Sequence, residues 1–174
     1  MGNSKIIPIW QPVGHSTHII AKKVSQYYEQ KTSHTGTVDP MAEGVIIVLV
    51  GDERNKKYEY AKWEKEYEFE IVFGIKTDSY DGLGLTKTQK IEQINSEDLF
   101  ENVEIITKDF VGKYTQDYPP YSAKNVDGKP LHWYARNKKL GEIDIPKKEG
   151  EVYSLEVLEE REEELQSVVK EIIS

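Results

Sequence analysis

Residues 32–51 read "TSHTGTVDPMAEGVIIVLVG". The first half is polar, with three threonines, His34 and a lone aspartate, Asp39, pinned ahead of Pro40. The second half, "GVIIVLVG", is short, β-branched and bounded by glycines, the pattern of a buried strand. A carboxylate on a stiff polar turn just before a buried strand has two readings. Asp-Pro commonly starts a turn, and a loop aspartate usually accepts backbone amides. On spacing alone that bland reading is favoured. The chemical one requires a carboxylate held by its loop beside a sheet that excludes water, where it can serve as nucleophile or base.

Upstream, "IIPIWQPVG" (residues 6–14) is an extended segment closed by Pro12 and Gly14. A helix follows, with Ser16 or Thr17 as N-cap and Ile20, Val24, Tyr27 and Tyr28 at helical spacing. Downstream, "EYEFEIVFG" (66–74) alternates, with Tyr67, Phe69, Ile71 and Phe73 on one face. That predicts a half-buried strand. "TDSYDGLGL" (77–85) is a turn-rich loop, and Ser96 opens a short helix. Residues 109–130 alternate extended pieces with Pro and Gly. "PLHWYARNKK" (130–139) is a short helix with Pro130 near its first turn. "EVYSLEVLE" (151–159) reads as a strand. From about Glu160 to 173, Leu165, Val168, Val169, Ile172 and Ile173 predict an amphipathic helix. Strands and helices alternate irregularly, so the fold class is α+β.

The 174 residues fit one domain able to bury a core without staples. The chain contains no cysteine, which excludes disulfides and thiolate metal sites. No run approaches the length of a membrane span, and a soluble cytoplasmic protein is expected. The net charge of −8 argues against a nucleic-acid partner. The charge is uneven, however. Residues 151–174 hold eight glutamates against Arg161 and Lys170, so most of the excess lies there. The rest is near neutral, with basic clusters at Lys22–Lys23, Arg54 to Lys57, Lys124 to Lys129 and Arg136 to Lys139. A local basic face is therefore compatible with the composition.

Among single residues, His34 has no second histidine or cysteine at ligand spacing and does not read as a metal ligand. It fits stacking on a base or touching a phosphate. Tyr67 taken alone is a core aromatic. "GLG" at Gly82 to Gly84 lacks the lysine and helix of a phosphate loop. The late glutamates read as a solvated helix face.

Four collinear blocks take the reading further. "HTGTVDPMAEGVIIVLVG" closely resembles the G-H-T/S-G-T-L-D-P-x-A-T-G-V-L motif of the TruB family of tRNA pseudouridine synthases, in its bacterial form. "QPVGHSTHIIAKKV" resembles that family's K-P-x-G-x-T-S segment and helix. "KEYEFEIVFGIKTDSYDGLG" and "QDYPPYSAKNVDGKPLHWYAR" resemble its later K-x-Y…T-D-T-x-D-x-x-G and Q-x-P-P-x-Y-S-A-x-K…A-R blocks. Together they span about residues 8–147.

The resemblance implies the pseudouridine synthase fold, a mixed, largely antiparallel sheet with flanking helices, in one catalytic domain over residues 1–174. It implies a monomer that isomerises a uridine in the TΨC loop of tRNA, with no cofactor, metal or membrane. Asp39 would be the catalytic aspartate. Tyr67 would pack on the flipped uracil and help remove the C5 proton. His34 would fill the space the base leaves. Thr37, Lys65, Tyr121, Lys124 and Lys129 would face RNA, and Gly36, Pro40 and Asp78 would support the site. The sequence departs from the pattern in three places. Gln11 stands where the family has lysine, Ser16–Thr17 inverts T-S, and Asn55 replaces a threonine. The family's later S-K-G-T-Y-I-R block, whose arginine pairs with the aspartate, and its PUA domain have no counterpart up to Ser174. A C-terminal truncation, a divergent minimal member and an inactive member are the alternatives this leaves. Arg54 and Arg136 are the candidates to serve Asp39 instead. A noncatalytic tRNA-binding module or tRNA chaperone on the same fold is the second functional reading.

Overall fold

A computed structural model describes residues 4–85, 96–162, 164 and 167–168. The chain divides into two compact units, Met1–Ile71 and Val72–Ser174.

In the first unit, β1 (Lys5–Gln11) leads through the Pro12–Gly14 turn into α1 (Thr17–Tyr28). Of the two N-cap candidates, Ser16 holds the position, but its side chain makes no capping bond. Next come β2 (Thr32–His34) and β3 (Gly44–Val50), the apolar run of the opening stretch. β3 is the centre of an antiparallel sheet ordered β1-β3-β2. Its register sets Ile9 opposite Ile46, Ile7 opposite Val48, and His34 opposite Val48 on the other side. The pleat puts Ile46, Val48 and Val50 on one face. Ile46 and Val48 form a core with Ala21 of α1, and Ile9, Ile20, Val24 and Val38 pack around it. Leu49, on the opposite face, is also fully buried. That double-sided burial explains why β3 is an unbroken apolar run. Thr32 Oγ1 donates to Ala21 O (2.9 Å), tying β2 to the helix. A 3-10 turn (Gly51–Lys56) and the short α2 (Lys57–Tyr60) follow.

Residues 64–72 differ from expectation. They join no described strand ladder, and Tyr67, Phe69 and Ile71 are 73%, 60% and 64% exposed. Alternation specifies a face only when a second strand supplies hydrogen bonds, and no described strand ladder includes this segment.

The second unit begins with the Thr77–Leu85 turn, expected from its Gly and Asp content. After it come α3 (Ser96–Asp109), β4 (Gly112–Asp117), β5 (Asn125–Val126), β6 (Lys129–Pro130), α4 (Leu131–Arg136) and β7 (Lys147–Val152). β5 and β6 form a hairpin across Asp127-Gly128, both with positive φ, as a tight two-residue turn requires. α4 starts after Pro130 and buries Leu131 and Tyr134. β4 pairs antiparallel with β7, from Gly112↔Val152 to Asp117↔Lys147. The strand expected over 151–159 therefore stops at Val152. Its partner runs out there, because α3 and the Phe110–Val111 turn precede Gly112. Residues 153–162 are irregular. Of the helix expected over 160–173, the described part is confined to Ser167 and Val168, whose amides donate to Glu164 O. Leu165, Val169, Ile172 and Ile173 lie outside the described residues.

The architecture is α+β, as expected. All described ladders are antiparallel, in keeping with the largely antiparallel arrangement expected.

Candidate functional site

The loop of residues 35–43 joins β2 to β3. It leaves the sheet after Thr35 N donates to Ile47 O (3.2 Å). His34 ends β2, and its Nδ1 lies 2.8 Å from Gly36 O. A carbonyl can only accept, so Nδ1 carries the hydrogen and Nε2 is the nitrogen left open. Asp39 opens a turn in which Ala42 N donates to Asp39 O (3.0 Å). Pro40 sits at the second position, where its fixed φ suits the turn.

To that extent the bland reading holds. The Asp39 carboxylate, however, accepts no backbone amide and forms no ion pair among the described residues. It is exposed. Arg54, in the same unit, does not pair with it. The neighbours of Asp39, by contrast, are tied down. Gly14 N donates to Pro40 O (2.9 Å), and Val38 N donates to Thr17 Oγ1 (3.4 Å). The loop thus spends its backbone groups on anchoring and leaves one charged side chain uncommitted.

Beside the loop lies an open hollow of about 330 Å³, lined in part by His15, His18, His34, Thr37 and Pro40. The structure therefore brings three of the sequence-predicted residues, His34, Thr37 and Pro40, to one surface next to Asp39. Gly36 lies on the same loop and is exposed. Among the described residues, no three His, Cys, Asp or Glu side chains are placed to hold a metal ion. No helix among them is long and apolar enough to cross a membrane.

Lys65 and Tyr67, in the same unit, do not line this hollow. Lys65 Nζ donates to Ala61 O (2.9 Å) and Trp63 O (2.7 Å), while Tyr67 is largely exposed. No hydrogen bond links either side chain to the Asp39 loop.

In the second unit, Tyr121 Oη donates to Asp78 Oδ2 (2.8 Å). Asp78 Oδ1 accepts from Leu85 N (2.8 Å), which closes the Thr77–Leu85 turn. The bond to Asp78 raises the Tyr121 phenol above its ordinary value. Desolvation and the Asp78 charge add to the shift, and Arg136 opposes it. Lys129 Nζ stands 3.6 Å from the centre of the Trp133 ring, and Lys124 Nζ 5.4 Å from that of Tyr118. Both lysines are exposed and keep their charge at the surface.

Sequence reasoning missed Thr17 and the aromatic partners Tyr118 and Trp133. It saw Gln11 only as a departure from a motif. A polar residue ending an otherwise apolar strand was the available signal for Gln11. Nothing local distinguishes Thr17 from an ordinary helix-start threonine.

This arrangement belongs to a defined class. Residues 22–171 match the sequence pattern of the TruB family pseudouridylate synthase N-terminal domain. The chain belongs to that family. It is 33% identical over 154 residues to a tRNA pseudouridine synthase B of Caldicellulosiruptor saccharolyticus, covering 88% of this chain and 51% of the relative. With the protein of the same name from Caldanaerobacter subterraneus it shares 35% identity over 156 residues, 88% of this chain and 52% of the relative. A tRNA pseudouridine synthase 4 of Saccharomyces cerevisiae is 34% identical over 138 residues, 78% of this chain and 33% of that protein. The chain spans about half the length of the bacterial relatives it matches.

Proposed function

We propose that residues 1–174 act as one catalytic domain that converts a uridine of the tRNA TΨC loop to pseudouridine, without cofactor or metal and with Asp39 as the essential group. The observation that carries this reading is the uncommitted Asp39 carboxylate on an anchored loop. Membership of the family and the names of the relatives support the reaction and the tRNA substrate.

The reaction breaks the C1′–N1 bond, turns the uracil and joins C5 to C1′. The proton lost from C5 balances the one gained at N1. The target base must leave its stack first, at a cost of a few kcal/mol. Asp39 then either attacks C1′ or removes the C2′ proton to give a glycal. His34, with Nε2 open, fills the vacated space, and Thr37 contacts the backbone beside it. Tyr67 packs on the uracil and assists loss of the C5 proton. Lys65, Tyr121, Lys124 and Lys129 contact RNA, while Gly36, Pro40 and Asp78 support the site. The protein works as a cytoplasmic monomer on the T-arm.

A noncatalytic tRNA-binding module is the second reading. It is favoured by one observation: no cation pairs with Asp39 among the described residues. Asp39→Asn separates the two, because it keeps the shape and removes the charge that the chemistry needs. Single-turnover pseudouridine mapping on a T-arm transcript should show wild-type conversion and none by the variant, with RNA affinity retained. Equal conversion by both proteins would remove Asp39 from the reaction. Binding without conversion by the wild type would establish the module.

A further inference from the structure

Gln11 is fully buried and Thr17 is 4% exposed, yet both are polar. A buried amide or hydroxyl costs free energy unless it is hydrogen-bonded, so the direction of these bonds is informative. Gln11 Oε1 accepts from Thr17 Oγ1 at 2.6 Å. Gln11 Nε2 donates to His15 O at 2.8 Å and to Val38 O at 3.5 Å. Thr17 Oγ1 in turn accepts from Val38 N at 3.4 Å. Both backbone polar groups of Val38, the residue before Asp39, therefore end on this one pair. On the far side of Asp39, Pro40 O is held by Gly14 N at 2.9 Å.

We propose that Gln11 and Thr17 are positioning residues. Together they form a buried polar lock that fixes Val38, and so sets the direction in which the Asp39 carboxylate leaves its loop. The proposal rests on the reading of Asp39 as the reacting group.

The donor count fits the role. The loop and the Pro12–Ser16 turn present two carbonyls that need donors, and Thr17 presents one hydroxyl hydrogen that needs an acceptor. A glutamine side chain offers two donors and an acceptor on one rigid plane. A lysine would offer donors only and leave the Thr17 hydroxyl hydrogen unpaired. The two bonds to Val38 are long, so neither would hold the loop in water. They join the buried Gln11–Thr17 pair, and away from water polar bonds are stronger and unmade ones costlier.

A merely structural pin would lower stability without changing the rate of folded protein. Positioning changes the rate, because a displacement of about 1 Å can cost about a hundredfold in turnover. The test uses the full chain with Thr17→Val, which removes the hydroxyl at similar volume, Thr17→Ser, which retains it, and Asp39→Asn. Three quantities are measured where circular dichroism finds every variant folded: exchange of the Val38 amide hydrogen, affinity for a T-arm transcript, and single-turnover rate. Thr17→Val should speed Val38 exchange and slow turnover by about ten- to a hundredfold, with affinity little changed. Thr17→Ser should recover both. Wild-type turnover by Thr17→Val while Asp39→Asn is inactive overturns the lock and leaves the Asp39 reading standing. So does an equal loss of rate in Thr17→Val and Thr17→Ser. Full turnover by Asp39→Asn, or none by the wild type, overturns the Asp39 reading, and the positioning role falls with it.

Discussion

The hydroxyl of Tyr121 and the carboxylate of Asp78 meet at 2.8 Å, although 43 positions separate them in the chain. Asp78 is thereby bound from two sides, by the Leu85 amide within its own turn and by a phenol from beyond α3. This joins two blocks of the family motif that the sequence keeps far apart.

The first prediction follows from that bond. A neutral phenol donates to Asp78, whereas a phenolate would be repelled, so the Tyr121 pKa is raised in the folded protein. The contribution to stability is fully present below the unfolded phenol value of about 10. It is lost as pH rises through the higher folded value. In a phenolate absorbance titration, the difference between wild type and Tyr121→Phe should show this tyrosine ionising late. Asp78→Asn should bring it back toward the ordinary range. An unchanged titration in Asp78→Asn would mean that another cause holds the phenol neutral.

A second prediction concerns RNA. Lys129 and Lys124 stand over aromatic rings with their charges exposed. A phosphate contact by either adds about 0.7–0.9 to the slope of log affinity against log salt. Lys129→Glu or Lys124→Glu should weaken T-arm binding and flatten that slope by about one such contact. Lys170→Glu, within the acidic stretch of the sequence, should do less. Binding titrations at several salt concentrations decide it, and equal losses at all three positions would disperse the proposed RNA face.

The third prediction tests packing in the second unit. Tyr114 pairs with Gly150 across β4 and β7. A Cβ on Gly150 would fall 2.5 Å from the tip of the Tyr114 ring. The ring lies across the space that a side chain would occupy. Gly150→Ala should destabilise by about 1 kcal/mol, the cost of moving a side chain off its rotamer. In the Tyr114→Ala background that penalty should vanish, a coupling within the usual range for touching residues. Urea unfolding of both singles and the double variant measures it. Additive effects would show that the ring does not rest there.

Much was legible before any fold was known. The run "GVIIVLVG" fixed its own conformation, because β-branched residues between glycines favour one short strand in almost any context. The helix start at Ser16 or Thr17 and the helix after Pro130 were equally local, set by steric preferences within a few residues. The ordered motif blocks sufficed to place the chain in its family.

Other features depended on partners the sequence cannot name. The alternation over 66–74 predicts a strand, but a strand also needs a second backbone, and no described residue supplies one. β7 ends at Val152 because β4 begins at Gly112, a limit set in another part of the chain. Gln11 looked like a lapse from a motif. Its meaning came when the fold carried Val38 across 27 positions to meet it, because a buried polar side chain must find a partner. The sequence determined that Asp39 sits on a stiff turn. Only the tertiary structure decided that the turn is held from both sides while its carboxylate stays uncommitted, because anchoring bonds between distant segments form only when burial excludes the competing water.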